Sequence, residues 1–140
     1  MINNCPIMLY TRKNTQDYTS LAEQVILYAE KRGFEEIKAD FDGYDKPASL
    51  NMLQQQIKLT PDFTAKRGNN KHYFELVVKN EEREDQLKLV SKWKALEMIA
   101  GMKGGRLHLF VPRGSYKFAT DLVREHGIEA RITKLSDIQN

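Results

Sequence analysis

Two acidic residues, Asp62 and Glu75, stand in the segment LTPDFTAKRGNNKHYFELVVKN, residues 59 to 80, each inside a run that otherwise reads as β-strand. The runs DFTAK and HYFELVVK are joined by RGNN, whose glycine and asparagines tolerate the positive φ that tight hairpins need. Side chains alternate along a strand, so Tyr73, Glu75, Val77 and Lys79 share one face while Leu76 and Val78 take the other. Cross-strand or diagonal neighbours in such a hairpin lie only about 5 to 8 Å apart, and two carboxylates at that range repel unless a cation bridges them. Magnesium is the simplest bridge. It takes oxygen ligands, usually one or two protein carboxylates, and leaves room for water and a phosphate, the arrangement that phosphodiester hydrolysis requires.

Other reactive residue types form no comparable constellation. His72, His108 and His126 fall in different elements without metal-ligand spacing, so neither a histidine zinc site nor an acyl-transfer triad is expected. Cys5 is the single cysteine, which excludes an internal disulfide and fits a reducing compartment. The glycines of MKGGRLHL precede a strand, the reverse of a phosphate-binding loop, and read as a helix stop.

The elements that must position the two acids follow from periodicity. TQDYTSLAEQVILYAEKRGF spaces Leu21, Val25 and Ala29 for a first helix that stops at Gly33. FEEIKADFDGY reads as a strand ending in a turn, and ASLNMLQQQIK as a short helix or an irregular excursion. After the hairpin, EREDQLKLVSKWKALEMIAGMKGG carries Leu87, Val90, Trp93, Leu96, Ile99 and Ala100 at three- and four-residue steps, a long amphipathic helix. RLHLFVP is then a strand, SYKFATDLVREHGI a helix, EARITKL a last strand, and SDIQN a tail expected to fray. This order predicts a mixed α/β layer structure with one βαβ crossover after the hairpin.

Composition bounds the rest. The chain has 140 residues, 41% hydrophobic and 29% charged, which predicts one domain over residues 1–140 with its own core. A formal charge of +3 is compatible with an anionic partner without resembling a basic nucleic-acid tail. No apolar run approaches a membrane span and MINNCPIML lacks a secretory pattern, so the expectation is a soluble cytoplasmic protein with no membrane partner.

Pro61-Asp62, a spacer of twelve residues, Glu75 in an apolar strand, and the long helix after it together resemble the PD-(D/E)xK nuclease superfamily. From the first helix to about Val111 the order of elements is similar to that family's. The resemblance implies a restriction-endonuclease-like three-layer core, a mixed central sheet flanked by helices. It also implies a metal-dependent DNA endonuclease in which Asp62 and Glu75 bind Mg2+ or Mn2+, with Glu23 of the first helix as an additional acidic ligand. DNA is the expected substrate, with RNA left open.

One position departs from the family pattern. Its lysine stands two residues after the second acid, where this chain has Val77. Lys79, one pleat further on the same face, and Lys92, on the long helix beside Trp93, are the candidate migrated lysines that would complete catalysis by Asp62 and Glu75. The alternative is a catalytically inactive nuclease-like domain that serves as a nucleic-acid-binding or protein-assembly module. Arg67, Lys71, Lys92, Arg113 and Lys117, with Lys103 and Arg106, are its expected phosphate contacts. The absence of a separate recognition module points to a homodimer or a partner protein.

Each of these residues also has an ordinary structural reading. Glu75 would be salt-bridged across the hairpin to Lys66 or Lys71. Glu23 would be an exposed helical glutamate. Trp93 lies on the apolar stripe and belongs to the core, while Lys92 and Lys94 lie off it on a solvated face. Ser115 would cap an ordinary surface helix carrying Lys117 and Arg124.

Overall fold

The hairpin forms between β4 (Phe63–Arg67) and β5 (Asn70–Leu76), with Phe63 opposite Phe74 and Arg67 opposite Asn70. Gly68 supplies the turn's positive φ of 64°. A computed structural model describes residues 16–52 and 57–138, and Cys5 lies outside them. Ahead of the hairpin come α1 (Gln16–Lys31), β1 (Glu35–Ala39), β2 (Leu50–Met52) and β3 (Ile57–Leu59). After it come α2 (Arg83–Met102), β6 (Leu107–Val111), α3 (Tyr116–His126), β7 (Arg131–Lys134) and a 3-10 turn at Leu135–Asp137.

The protein is mixed α/β. Its five-stranded sheet has the order β1-β4-β5-β6-β7; β1 and β5 flank β4 antiparallel, whereas β5, β6 and β7 run parallel. Sequence periodicity predicts one crossover, and the structure has two, β5-α2-β6 and β6-α3-β7. Residues Tyr73 to Val77 and all of β6 are buried, as expected of central strands covered on both faces.

Each sheet face has its own core. Ala22, Val25 and Ala29 of α1 are fully buried at helical spacing and pack with Phe34, Phe63, Ala65, Phe74 and Phe110. On the other face Val90, Trp93, Leu96 and Ala100 of α2 and Ala119 and Leu122 of α3 pack with Tyr73, Val77, Leu107 and Leu109. Leu87, placed on the α2 stripe by spacing, is exposed instead, and Leu89 packs against this core. The helix meets the sheet only from its second turn onward.

The turn after α2 lies against β5. Lys71 N–H donates to Lys103 O at 3.3 Å and Tyr73 N–H to Arg106 O at 3.1 Å. A Cβ at Gly105 would collide with the Lys71 carbonyl, so this glycine is required by close backbone approach.

Two segments differ from expectation. Leu50 pairs with Leu59 in an antiparallel β2-β3 ribbon, where the sequence suggested a short helix or an irregular excursion; Leu50 and Leu59 pack on the α2-side core. At the tail, Leu135 is buried and Ile138 packs on the α1-side core, so SDI is held rather than frayed. Among the described residues no helix is long and apolar enough to cross a membrane.

On the α1 face, His72 Nδ1 and His108 Nε2 stand 3.0 Å apart, with the Phe34 and Phe74 rings against the pair. Burial, then His72 and the Arg131, Arg106 and Arg67 charges, push the His108 pKa down to about 3. Unfolded histidine titrates near 6.5, so on acidification the unfolded chain takes up the proton first. The stability from a neutral His108 is therefore complete above about pH 6.5 and lost progressively toward pH 3, by up to ~1.4 kcal/mol per pH unit. Urea denaturation from pH 7 to pH 4 should show a shallower decline for His108→Gln than for wild type; parallel curves would refute this.

Candidate active site

Asp62 immediately precedes β4, and the hairpin register carried one residue further sets it opposite Glu75. Two reciprocal bonds lock the pair: Asp62 N–H donates to Glu75 Oε2 at 2.8 Å, and Leu76 N–H donates to Asp62 Oδ2 at 2.9 Å. Asp62 O accepts from Asp40 N–H at 2.8 Å, which ties the same residue to the end of β1. Backbone and side chain of Asp62 are thus held from both neighbouring strands. Both acids are buried, Asp62 at 5% and Glu75 at 1% relative exposure.

The cation beside them is Lys92. Its Nζ lies 3.2 Å from Glu75 Oε2 and 3.8 Å from Asp62 Oδ1. Burial acts to lower the Lys92 pKa, but Glu75 and Asp62, with a smaller effect of Asp40, outweigh it and hold the pKa above the usual lysine range. The solvated-face expectation for Lys92 is therefore corrected: the residue just off the Trp93 stripe points inward at the edge of the α2-β5 contact. Lys94 is exposed, as expected.

Packing explains why the ammonium does not come from the strand. Val77 shares the Glu75 face, is 1% exposed, and lies in the core with Val90, Trp93 and Leu96. A lysine there would be buried under α2, whereas Lys92, adjacent to Trp93 on that helix, reaches the carboxylates from above. Val77→Lys is expected to destabilise the fold by about 3 kcal/mol or more through a buried charge. Thermal or urea unfolding measures it; a variant as stable as wild type would show that position 77 can reach water.

The remaining candidates separate in space. Lys79 lies beyond the end of β5 and is exposed, so the strand that was to carry it one pleat past Val77 has already ended. Glu23 is exposed on α1, which covers the opposite face of the sheet, and among the described residues no three His, Cys, Asp or Glu side chains converge on a metal-sized site. Arg67 and Lys71 lie at the hairpin end of the sheet, about 17 Å along β4 from Asp62. Lys66 forms its ion pair with Glu36, and neither it nor Lys71 reaches Glu75.

Arg113 and Lys117 follow β6 at the sheet end that carries Glu75. Lys117 is paired to Asp121 at 2.9 Å. Ser115 occupies the N-cap position of α3 without a side-chain cap bond.

Sequence reading missed Asp40. It sits just past β1 in the ADFDG turn, where an acid is unremarkable, and only the β1-β4 pairing brings it to Asp62. Asp62 and Glu75 against the Lys92 ammonium leave a formal excess of one negative charge, while the Asp40 carboxylate has its own cation in Lys46 at 3.9 Å and acts on Lys92 only weakly. Asp62 and Glu75 are the residues that could hold a divalent cation, since magnesium takes oxygen ligands and commonly one or two protein carboxylates. The site also lies at the carboxyl ends of the parallel strands, where open α/β sheets bind ligands.

Comparison with protein-family models, with curated proteins and with solved structures found no match to this chain.

Proposed function

We propose that this protein is a metal-dependent phosphodiesterase acting on DNA, with a restriction-endonuclease-like core and a PD-(D/E)xK-type site whose lysine has moved to a helix. The observation that carries this reading is the Lys92 ammonium, within 4 Å of both the Asp62 and the Glu75 carboxylate. The family pattern calls for two acids and one lysine, and Lys92 supplies the member that Val77 removes from the strand.

Asp62 and Glu75 would hold Mg2+ or Mn2+, which supplies Lewis-acid polarisation of the phosphate and a more acidic water. The reciprocal bonds to Asp62 N–H and Leu76 N–H orient the carboxylates before substrate arrives, so no reorganisation is needed during reaction. Lys92, kept protonated by the acids, places positive charge beside the phosphoryl oxygens as negative charge develops.

The test is nicking of supercoiled plasmid by purified protein with Mg2+ or Mn2+, repeated with Asp62→Ala and Glu75→Ala. No cleavage with either metal ends the enzymatic reading, and cleavage that survives both substitutions identifies a contaminant.

One observation favours a second reading, an inactive nuclease-like module. The Lys92 ammonium already lies between the carboxylates and offsets part of their charge without a metal. That reading predicts DNA association that weakens steeply with salt and no cleavage.

A further inference from the structure

On the sheet face opposite Asp62 and Glu75, the hairpin end gathers side chains that the acid-lysine centre does not use. Ala65 pairs with His72, and His108 pairs with Phe74 on one side and Arg131 on the other, which sets His72, His108 and Arg131 on the α1 face. Strand alternation adds Arg106, two residues before His108, and Arg67, two residues after Ala65. The Arg67 guanidinium lies 4.0 Å from the Phe34 ring centroid and donates to Arg32 O at 3.1 Å.

We infer that Arg67, His72, Arg106, His108 and Arg131 form a phosphate-binding subsite separate from the Asp62-Glu75-Lys92 centre. Among the described residues none of the three arginines has a carboxylate ion-pair partner, although other surface cations do. Every charged or titratable neighbour that perturbs His108 is a base: His72, Arg131, Arg106 and Arg67. Guanidinium groups suit phosphate because their forked donors match its oxygens. Arg131 also borders a depression of about 460 Å3 between α1 and β7, lined by Tyr28, Arg32, Tyr116, Lys134 and Asp137, which gives room beyond a single phosphate.

The imidazole pair adds a proton to the recognition. His72 uses Nδ1 toward His108 Nε2, which leaves its Nε2 for a ligand. A protonated His72 donates from Nδ1 to His108 and from Nε2 to a phosphate oxygen, so binding is coupled to uptake of one proton from solvent. The groups facing the pair are Arg67 from β4, Arg106 from the turn before β6, Arg131 from β7 and the non-titrating Phe34. Burial, then Arg67 and Arg106, hold the His72 pKa below the usual histidine value, so affinity rises on acidification toward and below about pH 6.5.

The phosphate can belong to a nucleic-acid strand or be free, and only the first source rests on the function proposed above. The test uses wild-type protein in EDTA, so binding is read without cleavage, with a single-stranded oligonucleotide in one arm and inorganic phosphate in the other. NMR follows the His72 and His108 ring resonances, and Arg106→Ala/Arg131→Ala is compared with Lys88→Ala/Lys94→Ala, an equal charge change on α2.

If the source is nucleic acid, the arginine variant lowers the slope of log affinity against log salt by about 1.4, about 0.7 for each lost contact. The lysine variant changes the slope little, and acidification tightens wild-type binding. If the source is free phosphate, inorganic phosphate alone shifts both imidazoles and the arginine variant abolishes the shift. Unmoved imidazoles in both arms, or equal losses in the two variants, overturn the subsite. Plasmid nicking is scored independently, so failure of the subsite and failure of the nuclease reading are separable.

Discussion

Lys92→Met is expected to destabilise the protein by about 3–5 kcal/mol at pH 7, because it removes the ammonium shared by two buried carboxylates. The loss should be pH-dependent. With the cation gone, like-charge repulsion favours protonating one carboxyl, so the deficit relative to wild type should shrink from pH 7 to pH 5. Magnesium supplies a second axis: if Asp62 and Glu75 bind it, millimolar Mg2+ should restore part of the lost stability at pH 7. Urea denaturation at both pH values, with and without Mg2+, measures all three effects. Lys94→Met on the exposed side of α2 should stay within about 0.5 kcal/mol of wild type. A Lys92→Met protein as stable as wild type would remove the electrostatic centre from the account.

If the proposed nuclease activity is correct, Asp62→Asn should reduce plasmid nicking by about 10³-fold or more, roughly 4 kcal/mol of transition-state stabilisation, by withdrawing one proposed anionic metal ligand. The amide oxygen can still accept the Leu76 N–H bond, so the hairpin should remain intact and far-UV circular dichroism unchanged. This makes Asp62→Asn cleaner than Lys92→Met, whose stability loss confounds a rate. Lys79→Met sharpens the comparison: exposed beyond the strand end, it should leave the rate within about twofold of wild type, as expected where no transition-state contact is lost. Equal losses at Lys79 and Asp62 would place the chemistry elsewhere.

The hairpin was readable because local rules govern it. Turn residues at Gly68 and Asn69 set the strand pairing that brings Asp62 near Glu75, and period-two alternation through Tyr73, Glu75 and Val77 sets the face of Glu75, before any distant contact is known. Helices α1 and α2 were readable for the same reason, through the spacing of Val25 and Ala29 and of Val90, Trp93 and Leu96. Leu50 and Leu59 escaped because each β2-β3 strand is three residues long, too short for a period to register.

The site was legible in part. Asp62 and Glu75 are near in sequence and joined by one turn, so their proximity follows from strand geometry. Glu23 failed because periodicity locates the buried face of a helix without saying which sheet face it will cover, and α1 covers the one away from the acids. Asp40 went unseen because its nearness to Asp62 depends on β1 pairing with β4 across an intervening ribbon. The His72-His108 contact depends on the parallel register of β5 and β6, which forms only after α2 has crossed over.

By itself, then, the sequence determined that two carboxylates stand near each other on the paired strands of a hairpin and that a long amphipathic helix follows, since these are consequences of periodicity and turn chemistry within short stretches. Which cation meets them was decided by tertiary structure alone. Val77 and Lys92 stand fifteen positions apart, and only the seating of Trp93 on β5 buries one and aims the other at Asp62 and Glu75. That seating is a packing outcome between distant surfaces, which no local spacing encodes.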